Sequence, residues 1–167
     1  MNSLPTADTF ATGVYTFAGI DGTTTDGIRF LIGQTQIFVQ SQGNKYGSVL
    51  HGMQRLTWYH IAYVKISNMI YFYVNGVQLG STSFAQTVLA TTPVTRIGYD
   101  NSSGFPFFGY ISNFRITKGL GVYVGNFTVS TSPLQITQNS VASTVAVTGT
   151  NTSLLTLQGT TTDNSTN

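Results

Sequence analysis

The chain has 167 residues, no cysteine and no glutamate, with seven lysines and arginines against five aspartates. Disulfides and thiol chemistry are therefore excluded. Only 7% of residues are charged and the basic ones stand singly, so the clustered positive surface that nucleic acid requires is missing. One domain is expected from this length, with enough buried surface for a real core.

In chain order, residues 1–12 read as a polar N-terminal arm containing Pro5. Gly13 to Gly19 predicts a short strand that ends at Asp21-Gly22. Ile28 to Ile32 and Gln36 to Gln40 predict a pair with Gly33 at the bend, and Lys45 to Leu50 a further strand. The strongest signal is Trp58 to Gly80. In its first arm Trp58, His60, Ala62, Val64 and Ile66 share one face, and Tyr59, Ile61, Tyr63 and Lys65 the other. Ser67-Asn68 supplies a turn, and Ile70, Phe72 and Val74 alternate with Tyr71, Tyr73 and Asn75 in the second arm. Large apolar groups on both faces predict a central hairpin in a sheet covered on both sides. Asn75-Gly76 predicts a second tight turn, into Val77-Gln78-Leu79.

Ser81 to Thr92 leaves a helical turn and a connecting loop equally open. Val94 to Tyr99 predicts a strand running into the loop Asp100 to Gly104. Phe107 to Ile116 alternates, with Phe108, Tyr110, Ser112, Phe114 and Ile116 against Ile111, Asn113 and Arg115. From Thr137 the composition shifts to Thr, Ser, Asn and Val, with strands expected at Val141–Thr148 and Leu154–Gln158 before a polar tail. Short strands at regular spacing with Gly-rich turns predict an all-β, antiparallel two-sheet jelly-roll sandwich. Its domain plan is an arm at 1–12, the sandwich at 13–136, and C-terminal strands with a tail at 137–167.

Met1 to Pro5 has neither a basic start nor an apolar core, so no secretory signal is expected there. No apolar run approaches the roughly 20 residues of a membrane helix. Solubility at such low charge rests on Ser, Thr, Asn and Gln, a pattern suited to packing into an assembly or to life outside the cell.

The side chains that carry chemistry are few. Asp21 and Asp26 bracket Gly22-Thr23-Thr24-Thr25 and read as turn residues. His51 lies near a strand end with no identifiable Ser or Asp partner, and two distant histidines without cysteine do not make a zinc site. Gly119 to Gly125 lacks the spacing and the helix of a phosphate loop. Tyr99-Asp100-Asn101 with Gly104-Phe105 brings an aromatic platform, Asp, Asn and a Gly amide into one loop, the residue types that hold a sugar. The alternative is that Tyr99 and Phe105 cap the core while the polar pair turns the chain.

Three stretches together resemble the laminin G-like, concanavalin A-like jelly roll of the kind found in bacteriophage structural proteins, marine ones in particular. They are Trp58-Tyr59-His60-Ile61-Ala62, then Tyr71 to Gly80, then Ile97-Gly98-Tyr99-Asp100 with Phe108 to Gly119, followed by Tyr123 to Leu134. The match spans roughly 13–136. It implies a core containing Trp58, His60, Phe72, Val74, Phe108 and Phe114, with His60 inside the sandwich. It also implies calcium at a rim, for which Asp100 and Asn101, with Asp21 beside them, are the candidates; the glycan candidates Tyr99, Asp100, Asn101 and Phe105 come from the residue types of their loop.

The chain departs from the family at its opening, because the Leu-Leu-x-x-x-Gly…Asp-Ser strand does not precede residue 13. A similar stretch sits instead at Ser153 to Ser165. Three explanations stand: a permuted strand that completes its own sandwich, a strand exchanged with a neighbour, or a segment of a longer tandem protein. The glucanases of the fold use a retaining pair of glutamates, which need two carboxyls about 5 Å apart. With no glutamate in the chain, no enzyme activity and no cofactor beyond calcium are expected. The resemblance implies a non-enzymatic phage virion structural protein, a capsid decoration or a fibre or tail appendage. Such a protein is assembled in the host cytoplasm as a homo-oligomer or against other virion proteins, with host glycans touched by loops. The alternative is a secreted or surface carbohydrate-binding lectin or adhesin. Neither nucleic acid nor membrane is expected as a partner.

Overall fold

The computed structural model describes residues 14–21, 27–86, 94–99 and 106–159. The strands in chain order are β1 (Val14–Asp21), β2 (Ile28–Gly33), β3 (Gln36–Ser41), β4 (Asn44–Leu50), β5 (Ile61–Ile66), β6 (Met69–Val74), β7 (Val77–Ser83), β8 (Val94–Ile97), β9 (Phe114–Thr117) and β10 (Thr152–Thr156), with one 3-10 turn at Gly149–Asn151. They form a five-stranded sheet in the order β4-β3-β2-β1-β8, a three-stranded sheet β5-β6-β7 and a two-stranded sheet β10-β9. Every pairing is antiparallel. The protein is thus an all-β antiparallel sandwich, as its alternating sequence predicts.

Tight turns set the registers. Val74 faces Val77 across Asn75-Gly76, where φ is 49° and 78°, and Ser41 faces Asn44 across Gln42-Gly43, where φ is 52° and 75°. Two successive left-handed residues match the twist of the flanking strands, which is why Asn-Gly and Gln-Gly serve here. In the Ser67-Asn68 turn the left-handed residue is Ser67 (φ 50°), not the asparagine.

The core lies between the two larger sheets. Ile28, Ile32, Ile37 and Val39 from one sheet meet Ile70, Phe72 and Val74 from the other, closed by Met53 and Phe84. Tyr63 crosses the gap, its hydroxyl donating to the Leu31 carbonyl at 3.0 Å, and burial pushes that phenol well above the usual tyrosine range.

The second face of β5-β6-β7 is covered by the chain after β9. Tyr123 and Phe127 stack at 3.7 Å and lie against Tyr73. Gly121 sits so close to Ile66 and Val64 that a side chain there would collide with them. The face holding Ala62, Val64 and Ile66 is therefore the outer face, and both faces of the hairpin are covered; the hairpin is not central, however, because β5 is an edge strand of a three-stranded sheet among the described residues.

Several sequence expectations need correction. Phe107–Ile116 is strand only from Phe114, and Phe108 is 50% exposed rather than core. The cause is Asn113, whose left-handed backbone (φ 52°) resets the alternation, so that Phe108 and Tyr110 no longer share a face with buried Phe114. His60 lies outside the main core, on the outer face beneath Tyr123 and Phe127, and both it and Trp58 are only partly buried. Phe72 and Val74 are buried in the core. Val141–Thr148 forms isolated bridges, Tyr123 to Thr144 and Gln138 to Val147, in place of a strand. The C-terminal strand begins at Thr152, earlier than expected, and pairs with β9 of its own chain.

Candidate functional site

The site grows from an irregularity in β1. Thr16 pairs with Leu31 and Ala18 with Phe30, which leaves Phe17 as the extra residue of a bulge. Its freed carbonyl accepts the Gly98 amide at 2.8 Å, just past the end of β8. Gly98 takes φ 75°, a conformation that costs glycine least, and turns the chain there. The Gly98 carbonyl in turn accepts the Phe107 amide at 2.7 Å, so the loop between them is closed at its base. The Phe17 ring meets Phe107 edge-on at 6.1 Å and Phe114 at 6.0 Å, fixing both against the sheet.

From this base, residues 107–113 run without a strand ladder to β9. Their far end is held by β10: the Leu157 carbonyl accepts the Asn113 amide at 3.0 Å and the Ser112 hydroxyl at 3.3 Å. Asn113 Oδ1 accepts the Leu134 amide at 3.2 Å, and the Gln158 amide group donates to the Leu134 carbonyl. Ile97, Gly98, Phe107, Gly109, Ile111 and Leu157 together enclose an open cleft of about 360 Å³. The intervening residues stand outward, Phe108 at 50% and Tyr110 at 68% exposure, and Tyr99 at 45% follows Gly98 on the other side of the loop base. None of the three lines the cleft itself; each is the chain neighbour of a lining residue, and together they are called its rim.

Tyr99 is the one sugar-site candidate whose position is described, and it stands exposed at this rim. Asp100, Asn101 and Phe105 lie outside the described residues, as do Asp26 and the side chain of Asp21. Sequence reading missed Phe108 and Tyr110 as rim residues because their alternation with Phe114 reads as a core face. Asn113, a residue tolerant of left-handed backbone, was the signal that could have separated them. Among the described residues no three His, Cys, Asp or Glu come together as a metal site.

The two histidines have structural environments. His51 is buried; its Nε2 donates to the Gly33 carbonyl at 3.1 Å and its Nδ1 accepts the Met53 amide at 2.9 Å, which clips the 33–36 turn to the following loop as a neutral imidazole. Burial lowers its pKa, opposed by the bond to Gly33. His60 is different. Its backbone pairs with Asn75, but Nδ1 is buried without a partner, and burial together with nearby Arg115 lowers its pKa to about 4. Arg115 is fixed by the Gln135 carbonyl, Gln138 Oε1 and the Tyr123 hydroxyl.

Residues 4–120 match the family model described as the Concanavalin A-like lectin/glucanases superfamily, a span from the N-terminal arm past β9 that leaves β10 outside. No curated protein and no solved structure matches the chain significantly.

Proposed function

The chain belongs to the Concanavalin A-like lectin/glucanases superfamily, and from that membership we propose that it is a non-enzymatic recognition module that holds carbohydrate at the rim formed by Tyr99, Phe108 and Tyr110. The observation that supports this reading is the exposure of those three aromatics, each next in sequence to a residue lining the cleft between β8 and the segment before β9. A pyranose ring has an apolar C–H face that packs on an aromatic ring, while its hydroxyls take backbone and amide partners; tyrosine offers both kinds of contact. Absence of hydrolysis is part of the reading. The superfamily's retaining chemistry requires two carboxyls close together, and the chain has no glutamate to supply the usual pair. A calcium ion at Asp100 and Asn101 would need further oxygen ligands, since calcium takes 6–8 and a pair of side chains supplies only part of that set.

The test is a glycan array followed by titration calorimetry on the full chain. Binding is expected, and Tyr110→Ala should weaken it about tenfold without loss of fold, as one truncated contact aromatic commonly does. Absence of binding to any glycan at millimolar concentration would end this reading, and so would affinity indifferent to both Tyr110→Ala and Phe108→Ala. Release of reducing ends from laminarin would overturn the non-enzymatic part.

A second reading, a structural part of a phage virion, is favoured by one observation. Edge strand β4 ends in Leu50, 70% exposed, and Leu56 follows at 69%, on a chain with only 7% charged residues. Burial of that edge against identical subunits or other virion proteins would cover it. Copurification with particles that is lost in Leu50→Lys would support this reading. The rim and the edge are separate surfaces, so one appendage protein has room for both roles.

A further inference from the structure

The segment that carries Phe108 and Tyr110 has an unusual mechanical situation. It lies between two anchors and has no ladder of its own. One anchor is the bond from Phe107 to Gly98, which belongs to the five-stranded sheet. The other is the Leu157 carbonyl, which receives both Asn113 and Ser112 and belongs to the end of the C-terminal strand. Leu157 itself holds a left-handed backbone (φ 61°) and contributes one wall of the cleft. Asn113, also left-handed, joins this anchor to Leu134, and Gln158 joins Leu134 from the other side.

β10 is a separate unit in the fold. Among the described residues its strand pairing is with β9; Thr152, Leu155 and Thr156 are buried, and the Thr152 hydroxyl donates to the Ile136 carbonyl at 2.7 Å. Loss of that pairing removes one of two anchors from the rim segment together with one wall of the cleft, and leaves the main core between the larger sheets in place.

We propose that the C-terminal strand is a positioning element for the carbohydrate rim: β10 seating and ligand binding at Phe108 and Tyr110 are thermodynamically coupled through Leu157, Asn113 and Ser112. This rests on the reading of the rim as a carbohydrate site. Coupling is reciprocal, so ligand at the rim holds β10 down as strongly as β10 improves the rim.

Hydrogen exchange on the full, unmodified chain under a denaturant series gives the first test. The Asn113 amide is expected to open together with the β9–β10 ladder, in one cooperative unit distinct from Phe107. If Asn113 exchanges independently of that ladder, the proposal is wrong. The second test places fluorotyrosine at Tyr110 and reads its fluorine resonance in Leu155→Ala, in which the buried side chain of β10 is cut back. A shifted or broadened resonance is expected. An unchanged resonance alongside β10 protection reduced about tenfold would overturn the proposal, and if Leu155→Ala does not fold, the exchange test alone decides.

The third test adds laminarihexaose to the unmodified chain. Protection of the β10 amides is expected to rise about tenfold at saturation, although none of them borders the rim. Binding without any such rise would refute coupling. If laminarihexaose fails to bind while Asn113 still opens with β10, the positioning role stands and the choice of sugar is what fails.

Discussion

His60 shows how one side chain ties stability to pH. Its ring lies edge-on to Tyr123 and Phe127, and its Nδ1 has no partner, so a proton placed there enters a low-dielectric site beside the Arg115 cation. Burial, then Arg115, holds its pKa at about 4, against roughly 6.5 in the unfolded chain. The folded state therefore prefers neutral His60. Its contribution is fully present above pH 6.5, declines as pH falls toward 4, and is gone below that. The size of the effect is about 3 kcal/mol. Urea midpoints should fall across this window, and His60→Phe should flatten much of the decline; the part that remains includes His51, whose pKa is also lowered. Backbone packing makes a second prediction at this scale. Gly76 has φ 78°, and a Cβ there would overlap the Phe127 carbonyl, whose amide already donates to Gly76. Gly76→Ala should cost about 2 kcal/mol or more, read as a lowered denaturant midpoint with unchanged slope.

At the scale of elements, the segment after β9 acts as a cover for the three-stranded sheet. It forms no continuous ladder; isolated backbone bonds such as Phe127 to Gly76 and Val124 to Ser143 join side-chain anchors, with Tyr123 and Phe127 stacked over Tyr73, Asn126 Oδ1 accepting the Gln78 amide at 2.8 Å, and Gly121 against Ile66. An irregular segment fixed by packing is stable only as long as its anchors are large. Phe127→Ala should therefore cost about 3 kcal/mol and raise hydrogen exchange along β6 and β7, whereas Val124→Ala, at a 57% exposed position, should change little. Asn113 carries the complementary lesson. A single left-handed residue turns an apparently continuous amphipathic strand into a rim segment and a short buried strand. Asn113→Gly keeps that conformation and should be tolerated better than Asn113→Val, whose β-branched side chain resists it.

At the scale of the whole molecule, the fold is two unequal sheets around one core, with an outer cover and a final strand paired to β9. A self-contained recognition module is expected to give a single-chain mass by light scattering at low micromolar concentration. A larger mass that Leu50→Lys abolishes would shift weight to subunit assembly through the β4 edge.

Local chemistry made most of the sheets legible. Period-2 alternation with Asn75-Gly76 and Ser67-Asn68 fixed β5, β6 and β7 and their registers, because side-chain period and turn geometry are properties of a few neighbouring residues. The absence of glutamate was likewise readable from composition. Three things depended on distant parts of the chain. The side of the sheet taken by His60 was decided by where Tyr123 and Phe127 return to cover it. The exposure of Phe108 and Tyr110 followed from Asn113 adopting a left-handed conformation, which its bonds to Leu157 and Leu134 secure. The cleft itself joins the end of β8, residues 107–111 and Leu157 just past β10, and apolar periodicity within any one of them is the same whether its neighbours close a core or leave a rim open.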